Sequence, residues 1–197
     1  MFKKKCFDGL LEKSGELFKT SDLTALGISK PTIARMVRDG LLENVAHGVY
    51  CRAGDIVDEM QLLQLRSPRI VFSHESALWL NGLSDRNPFE MSVTIERGAP
   101  LAASLRSACR CHYVPMHLMD IGLVTMRNEY GHNVRCYDAE RTVCDIVRDR
   151  SLVGVEEFAD GMKRYAVSPK RNLPRLMQFA GAFGVAREIS SYMEVLT

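Results

Sequence analysis

Several short stretches carry residue types that could do chemistry, and their spacing decides what each could do. Ser73-His74-Glu75 sets a hydroxyl, an imidazole and a carboxylate side by side. These are the groups of a hydrolytic triad, but neighbours at a helix start cannot face one another. Cys109-Arg110-Cys111-His112 offers two thiols and an imidazole. The cysteine spacing is shorter than that of a CxxC zinc knuckle, and the sequence holds no CxxC at all. His112 and His117 flank Pro115 without a carboxylate in a ligand pattern. Arg141 and Asp145 fall at i, i+4 of one expected helix and read as a surface or half-buried salt bridge. Acid–base work would require Glu140 or Asp145 to meet His74, His112 or Lys163 in one pocket, and the sequence does not bring them together. GxGxxG, P-loop, HExxH and GxSxG patterns are missing from the chain. The expectation is a protein with no catalytic residues, no metal and no cofactor.

Basic side chains near the N-terminus suggest a different chemistry, the recognition of phosphates and base edges. Thr20 or Ser21 can cap a short helix that Gly27 ends. Ser29 can cap the next, with Pro31 tolerated in its first turn and Gly40 beyond its end. Two helices joined by the tight turn Gly27-Ile28-Ser29 make a helix-turn-helix. Ile33, Met36 and Val37 form the inner stripe of the second helix. Lys30, Thr32, Arg35 and Arg38 are left on the outer face and N-terminal end, where side chains reach DNA. Leu17-Phe18-Lys19 reads as a very short strand. Leu41 to Val45, a turn at Ala46-His47-Gly48, and Val49 to Arg52 read as a hairpin, the wing of a winged helix. The DNA-contacting set is therefore Lys19, Ser29, Lys30, Thr32, Arg35, Arg38, His47 at the wing tip and Arg52 near its base.

The elements that must carry these residues form an α+β chain of 197 residues. An amphipathic helix is expected over Lys3 to Lys13 and another over Asp55 to Leu65, with Ile56, Met60 and Leu63 on one stripe. Arg66-Ser67-Pro68-Arg69 interrupts the pattern, so a winged helix-turn-helix domain over 1–66 is expected to precede a mixed helix/strand domain over 70–197. In the latter, strands are read near Ile70 to Phe72, Met91 to Ile95, His112 to Val114 and Asn133 to Tyr137. Helices follow Ser73 and Asp138 and fill Val155 to Tyr165, Leu173 to Phe183 and Val185 to Val195. Net charge is only +2, but residues 1–52 hold nine Lys/Arg against six Asp/Glu, a local +3. A second basic patch, Lys163, Arg164, Lys170, Arg171 and Arg175, lies where no acidic residue occurs between Asp160 and Glu188. It could add phosphate contacts to a modestly charged reader. No apolar run is long enough to span a membrane, and no apolar segment follows the basic start as a secretory signal requires. The cytoplasm is the expected location, with the six cysteines serving as reduced, small hydrophobes.

Three stretches together resemble the AbiEi family of bacterial antitoxins. They are the winged helix from Phe18 to Tyr50, the run FSHESALWLNGLSDRNP from Phe72 to Pro88, and YDAERTVCD from Tyr137 to Asp145. The resemblance implies an antitoxin of a type IV toxin–antitoxin pair linked to abortive phage infection, not an enzyme. Its N-terminal domain would repress the shared promoter by binding inverted repeats in double-stranded DNA, a free monomer pairing on the two arms. Its C-terminal domain would oppose a nucleotidyltransferase toxin without a stable complex. The alternative is a winged-helix regulator whose second domain senses a small ligand.

Overall fold

A computed structural model describes residues 15–196; the helix expected over Lys3 to Lys13 lies outside them. The chain forms two compact units, Met1–Leu62 and Leu63–Thr197.

The first unit builds its sheet from β1 (Phe18–Lys19), β2 (Leu42–Ala46) and β3 (Val49–Arg52), in the order β1-β3-β2 and antiparallel throughout. Helices α1 (Thr20–Ala25) and α2 (Lys30–Arg38) lie between β1 and β2 in sequence. Buried Phe18, Leu23, Ile33, Met36 and Leu42 form the core, with Ile28, Val37 and Tyr50 packed against it. α1 starts one residue earlier than a Thr20 cap, and two earlier than a Ser21 cap, would place it. Lys19 holds the cap position, and its backbone N–H donates to Asp22 at 3.1 Å. Thr20 instead bonds the wing, its hydroxyl donating to the Gly48 carbonyl at 3.2 Å. Helix α3 covers Glu59–Arg66 rather than the span from Asp55. The Asp58 carboxylate accepts the Met60 and Gln61 N–H groups at 3.0 and 3.2 Å, so the helix begins after it. Ile56, left outside, is 72% exposed instead of joining the stripe.

The second unit holds a five-stranded mixed sheet. Its strands are β4 (Val71–Phe72), β5 (Ser92–Glu96), β6 (Arg110–Val114), β7 (Leu123–Arg127) and β8 (Asn133–Tyr137), in the order β6-β5-β4-β8-β7. β5–β6 and β4–β8 are parallel, β4–β5 and β7–β8 antiparallel. Helices α4 (His74–Leu80), α5 (Ala103–Arg106), α6 (Ala139–Arg148), α7 (Val155–Val167), α8 (Leu173–Phe183) and α9 (Ala186–Leu196) complete the unit. Leu78, Val143, Ile146, Phe158, Met162, Leu176, Ala180 and Ile189 are among the side chains that bury one another in its main core. The Cys136 and Cys144 thiols, buried here, are pushed up to about 12. They stay protonated and act as small apolar groups.

The Arg141–Asp145 pair is not at the surface: both side chains are 0% exposed. The Arg141 Nε–H donates to both Asp145 oxygens, at 3.1 and 3.0 Å. Its Nη1 donates to the Leu118 and Ile121 carbonyls at 2.6 and 2.9 Å. The guanidinium is sandwiched between the Tyr137 and Phe183 rings, 4.0 Å from each centroid. Helical spacing says that the two side chains meet; the segment 118–121 and Phe183, distant in sequence, decide that they meet away from water. Asp138 caps α6 as expected, accepting the Arg141 N–H at 2.8 Å. Glu140 is also buried and accepts from the Tyr165 hydroxyl and the Asn172 N–H at 3.1 and 3.0 Å.

The approach of segment 118–122 to α6 requires a glycine at position 122. Its φ is +73°, and a Cβ built there would stand 2.4 Å from the Arg141 Cβ and 2.9 Å from Asp138 Oδ1. Gly122→Ala is expected to lower stability by roughly 2–3 kcal/mol through left-handed strain and overpacking. Urea unfolding followed by the fluorescence of Trp79, the single tryptophan, measures it.

Candidate nucleic-acid interface

α2 is assembled by local chemistry. The Ser29 hydroxyl caps it, accepting the Thr32 N–H at 3.4 Å and sharing a hydrogen bond with the Thr32 hydroxyl at 2.9 Å. Pro31 sits in the first turn, where its missing N–H costs nothing. Burial of Ile33 and Met36 fixes the helix's rotation. Lys30, Arg35 and Arg38 are exposed, and none forms an ion pair among the described residues. The N-terminal turn of such a helix carries partial positive charge as well as the Lys30 ammonium.

β2 and β3 then return as a hairpin with Gly48 at φ +67° and His47 exposed in the turn. The register shifts between Asn44 and Ala46. The Asn44 amide fills the irregularity by donating to the Ala46 and Val49 carbonyls at 3.0 and 3.2 Å. Between helix and hairpin runs a groove of about 550 Å³, bordered by Thr20, Lys30, Ala34, Asn44, His47 and Tyr50. Of the expected contact residues, Lys30 and His47 thus come together. Ser29 and Thr32 are engaged in capping, and Lys19 is half-buried at the end of β1. Arg52 is exposed at the end of β3, opposite Leu42. Asn44 and Tyr50 were not singled out from sequence. The signal was present in their pairing across the hairpin, which puts both on one face.

Residues 10–53 match the AbiEi antitoxin transcriptional-regulator family. That family's segment contains β1, both helices of the helix-turn-helix and the whole hairpin, in agreement with the resemblance carried by the sequence. The SHESA and YDAERT stretches lie beyond the matched residues. Among solved structures, the RV2827C protein from Mycobacterium tuberculosis has a similar fold, with a TM-score of 0.67. It is 15% identical, and the alignment covers 96% of this chain and 78% of that one. Comparison with curated protein sequences gives no match. Among the described residues, no helix is long and apolar enough to cross a membrane.

The second basic patch is divided. Arg164 pairs with Asp85, and Arg175 pairs with Asp138. Lys163, Lys170 and Arg171 are exposed and form no ion pair among the described residues.

The residues weighed for catalysis also have definite places. Glu140 and Asp145 are consumed by the buried bonds already described. His74 and His112 do meet, but over Asp149. Cys109 and Cys111 share a thiol–thiol hydrogen bond at 3.8 Å between sulfurs and form no disulfide. His112 turns instead to Asp149, its Nδ1 3.5 Å from the carboxylate. Asp149 was missed from sequence; its one signal is its position just past the end of α6, beside Arg148.

Proposed function

We propose that the chain is an antitoxin and transcriptional autorepressor of a type IV toxin–antitoxin operon, reading inverted repeats in its own promoter with α2 and the wing. The reading rests on one observation above all. A capped helix presents Lys30, Arg35 and Arg38, none of them in an ion pair among the described residues, directly before a hairpin, in a segment that matches a transcriptional-regulator family. Arg35 and Arg38 suit bidentate contacts to guanine in the major groove. Lys30 and the first turn of α2 suit phosphate, His47 the backbone or minor groove beside it, and Lys19 and Arg52 flanking phosphates. The second unit supplies the antitoxin activity against a nucleotidyltransferase toxin without forming a stable complex with it, in the cytoplasm.

The division of labour is tested in cells carrying the operon promoter on a reporter and the toxin under separate control. The full chain with Arg35→Ala and Arg38→Ala is expected to lose repression while still permitting growth against the toxin. Loss of protection together with repression, at unchanged protein level, contradicts it.

A further inference from the structure

Cys109 and Cys111 stand apart from the other described thiols. Cys51, Cys136 and Cys144 are buried, and burial pushes each of them up. They hold their protons and react slowly. Cys111 is only half-buried, so its sulfur is partly open to solvent. Cys109, 2% exposed, sets a second sulfur 3.8 Å away.

Strand geometry brings the two sulfurs together. Cys109 lies in the bend between α5 and β6, and Cys111 is the second residue of β6. Alternation along a strand sends residues i and i+2 to one face. Arg110, between them, turns to the other face. It stands opposite Ser92 and pairs with Glu75 at 3.1 Å and Glu90 at 3.4 Å. Two residues of extended chain span about 6.4–6.8 Å. That is the upper end of the Cα separations, about 4.4–6.8 Å, that a disulfide bridges. A bond closed over that span is strained and therefore readily reduced again.

Hydrogen bonding gives the two sulfurs different parts. The Cys109 S–H donates to the Leu105 carbonyl at 3.1 Å. Its single proton is thus directed away from Cys111, and a sulfur lone pair is left facing Cys111. The Leu105 carbonyl also accepts the Ala108 N–H at 3.1 Å, so loss of the thiol proton does not orphan it. Cys111 is the sulfur that a solution oxidant reaches, and Cys109 is the sulfur placed to attack its oxidised form.

We propose that Cys109 and Cys111 form a redox site that closes to a disulfide when the chain meets a hydroperoxide. The Cys111 thiolate attacks one peroxide oxygen and the O–O bond breaks. With hydrogen peroxide the other oxygen leaves as hydroxide and takes up the Cys111 proton as water. Cys111 is then a sulfenic acid. The Cys109 sulfur attacks the Cys111 sulfur, the S–O bond breaks, and the hydroxide leaves with the Cys109 proton as a second water. The two thiols lose two electrons and the peroxide gains them. A dithiol restores both thiols by exchange. The site lies wholly in the second unit, and the inference is independent of the DNA-binding reading.

Trypsin supplies the readout, because cleavage after Arg106, Arg110 and Arg127 puts the two cysteines on separate peptides, 107–110 and 111–127. The full chain is treated with a moderate excess of hydrogen peroxide, unfolded with N-ethylmaleimide present to block remaining thiols, digested and weighed. The two peptides are expected joined, or uncut at Arg110 and two hydrogens lighter than the dithiol, and dithiothreitol should reverse this. Cys109→Ser keeps a donor to Leu105. It should lose the joined species entirely and leave Cys111 as a sulfenic acid that dimedone captures. Cys111→Ser should lose the joined species and leave Cys109 without dimedone. The native chain carries the test if a serine variant does not fold. Peptides 107–110 and 111–127 that stay separate and alkylated, while Trp79 fluorescence shows a folded chain, overturn the proposal. So does joining that requires denaturant, Cys111 paired with any other cysteine, or dimedone on Cys109 in the Cys111→Ser chain.

Discussion

Replacing Arg141 with leucine is expected to lower the unfolding free energy of the second unit by about 3–5 kcal/mol, the cost of leaving one member of a buried ion pair alone. The loss has several physical parts. Asp145 would keep a carboxylate at 0% exposure with its principal cation gone. The Leu118 and Ile121 carbonyls would lose the Nη1 donor. The gap between the Tyr137 and Phe183 rings would be filled by a side chain without the planar shape that fits it. Arg148, 3.4 Å from Asp145, offsets only part of this because it also serves Asp149. Pairing Arg141→Leu with Asp145→Leu removes the orphaned charge, so the double variant is expected to be more stable than Arg141→Leu alone. Neighbouring groups of one network are not additive. Trp79 lies on α4 in the same unit, so its fluorescence during urea unfolding reports the transition. A loss under about 1 kcal/mol for Arg141→Leu would mean the pair is solvated.

The same residues show where sequence reading succeeds and where it stops. Ser29-Lys30-Pro31 and Asp138-Ala139 announce helix starts because capping is local, and α2 and α6 begin where those signals put them. Ile33, Met36 and Val37 were legible as an inner stripe for the same reason. The hairpin was legible from Gly48 and its flanking apolar residues. Segment Leu123–Arg127 was not recognised as a strand. It lies at an edge of the sheet with half-buried and exposed residues, so no apolar alternation marks it. Ile56 was misplaced because periodicity cannot weigh the Asp58 cap that starts α3 later. The burial of Arg141 and the meeting of His74, His112 and Asp149 were invisible for a deeper reason. Each depends on contacts between segments tens of residues apart, including the parallel register of β5 with β6, and no window of sequence contains them. The exposed face of α2 was readable from sequence because Ile33 and Met36 fix the buried one.

The proposed DNA recognition rests on α2, and the affinity of purified protein for its own promoter DNA tests it. Arg35 and Arg38 are exposed, and alanine favours helix at least as well as arginine. The double substitution should therefore leave the fold and melting temperature unchanged. Each bidentate contact to a base edge contributes about 1–3 kcal/mol. Loss of both is then expected to weaken binding by about 2–6 kcal/mol, roughly thirtyfold or more. The comparison must be made at one fixed salt concentration, since phosphate contacts alone change affinity steeply with salt. The decisive measurement is fluorescence anisotropy of labelled DNA from upstream of the gene, titrated with the native chain and with the Arg35→Ala, Arg38→Ala variant. The account predicts tight, sequence-dependent binding by the native chain and a loss of at least thirtyfold in the variant. Native and variant affinities within about twofold of each other, where RT ln 2 is only about 0.4 kcal/mol, would contradict it.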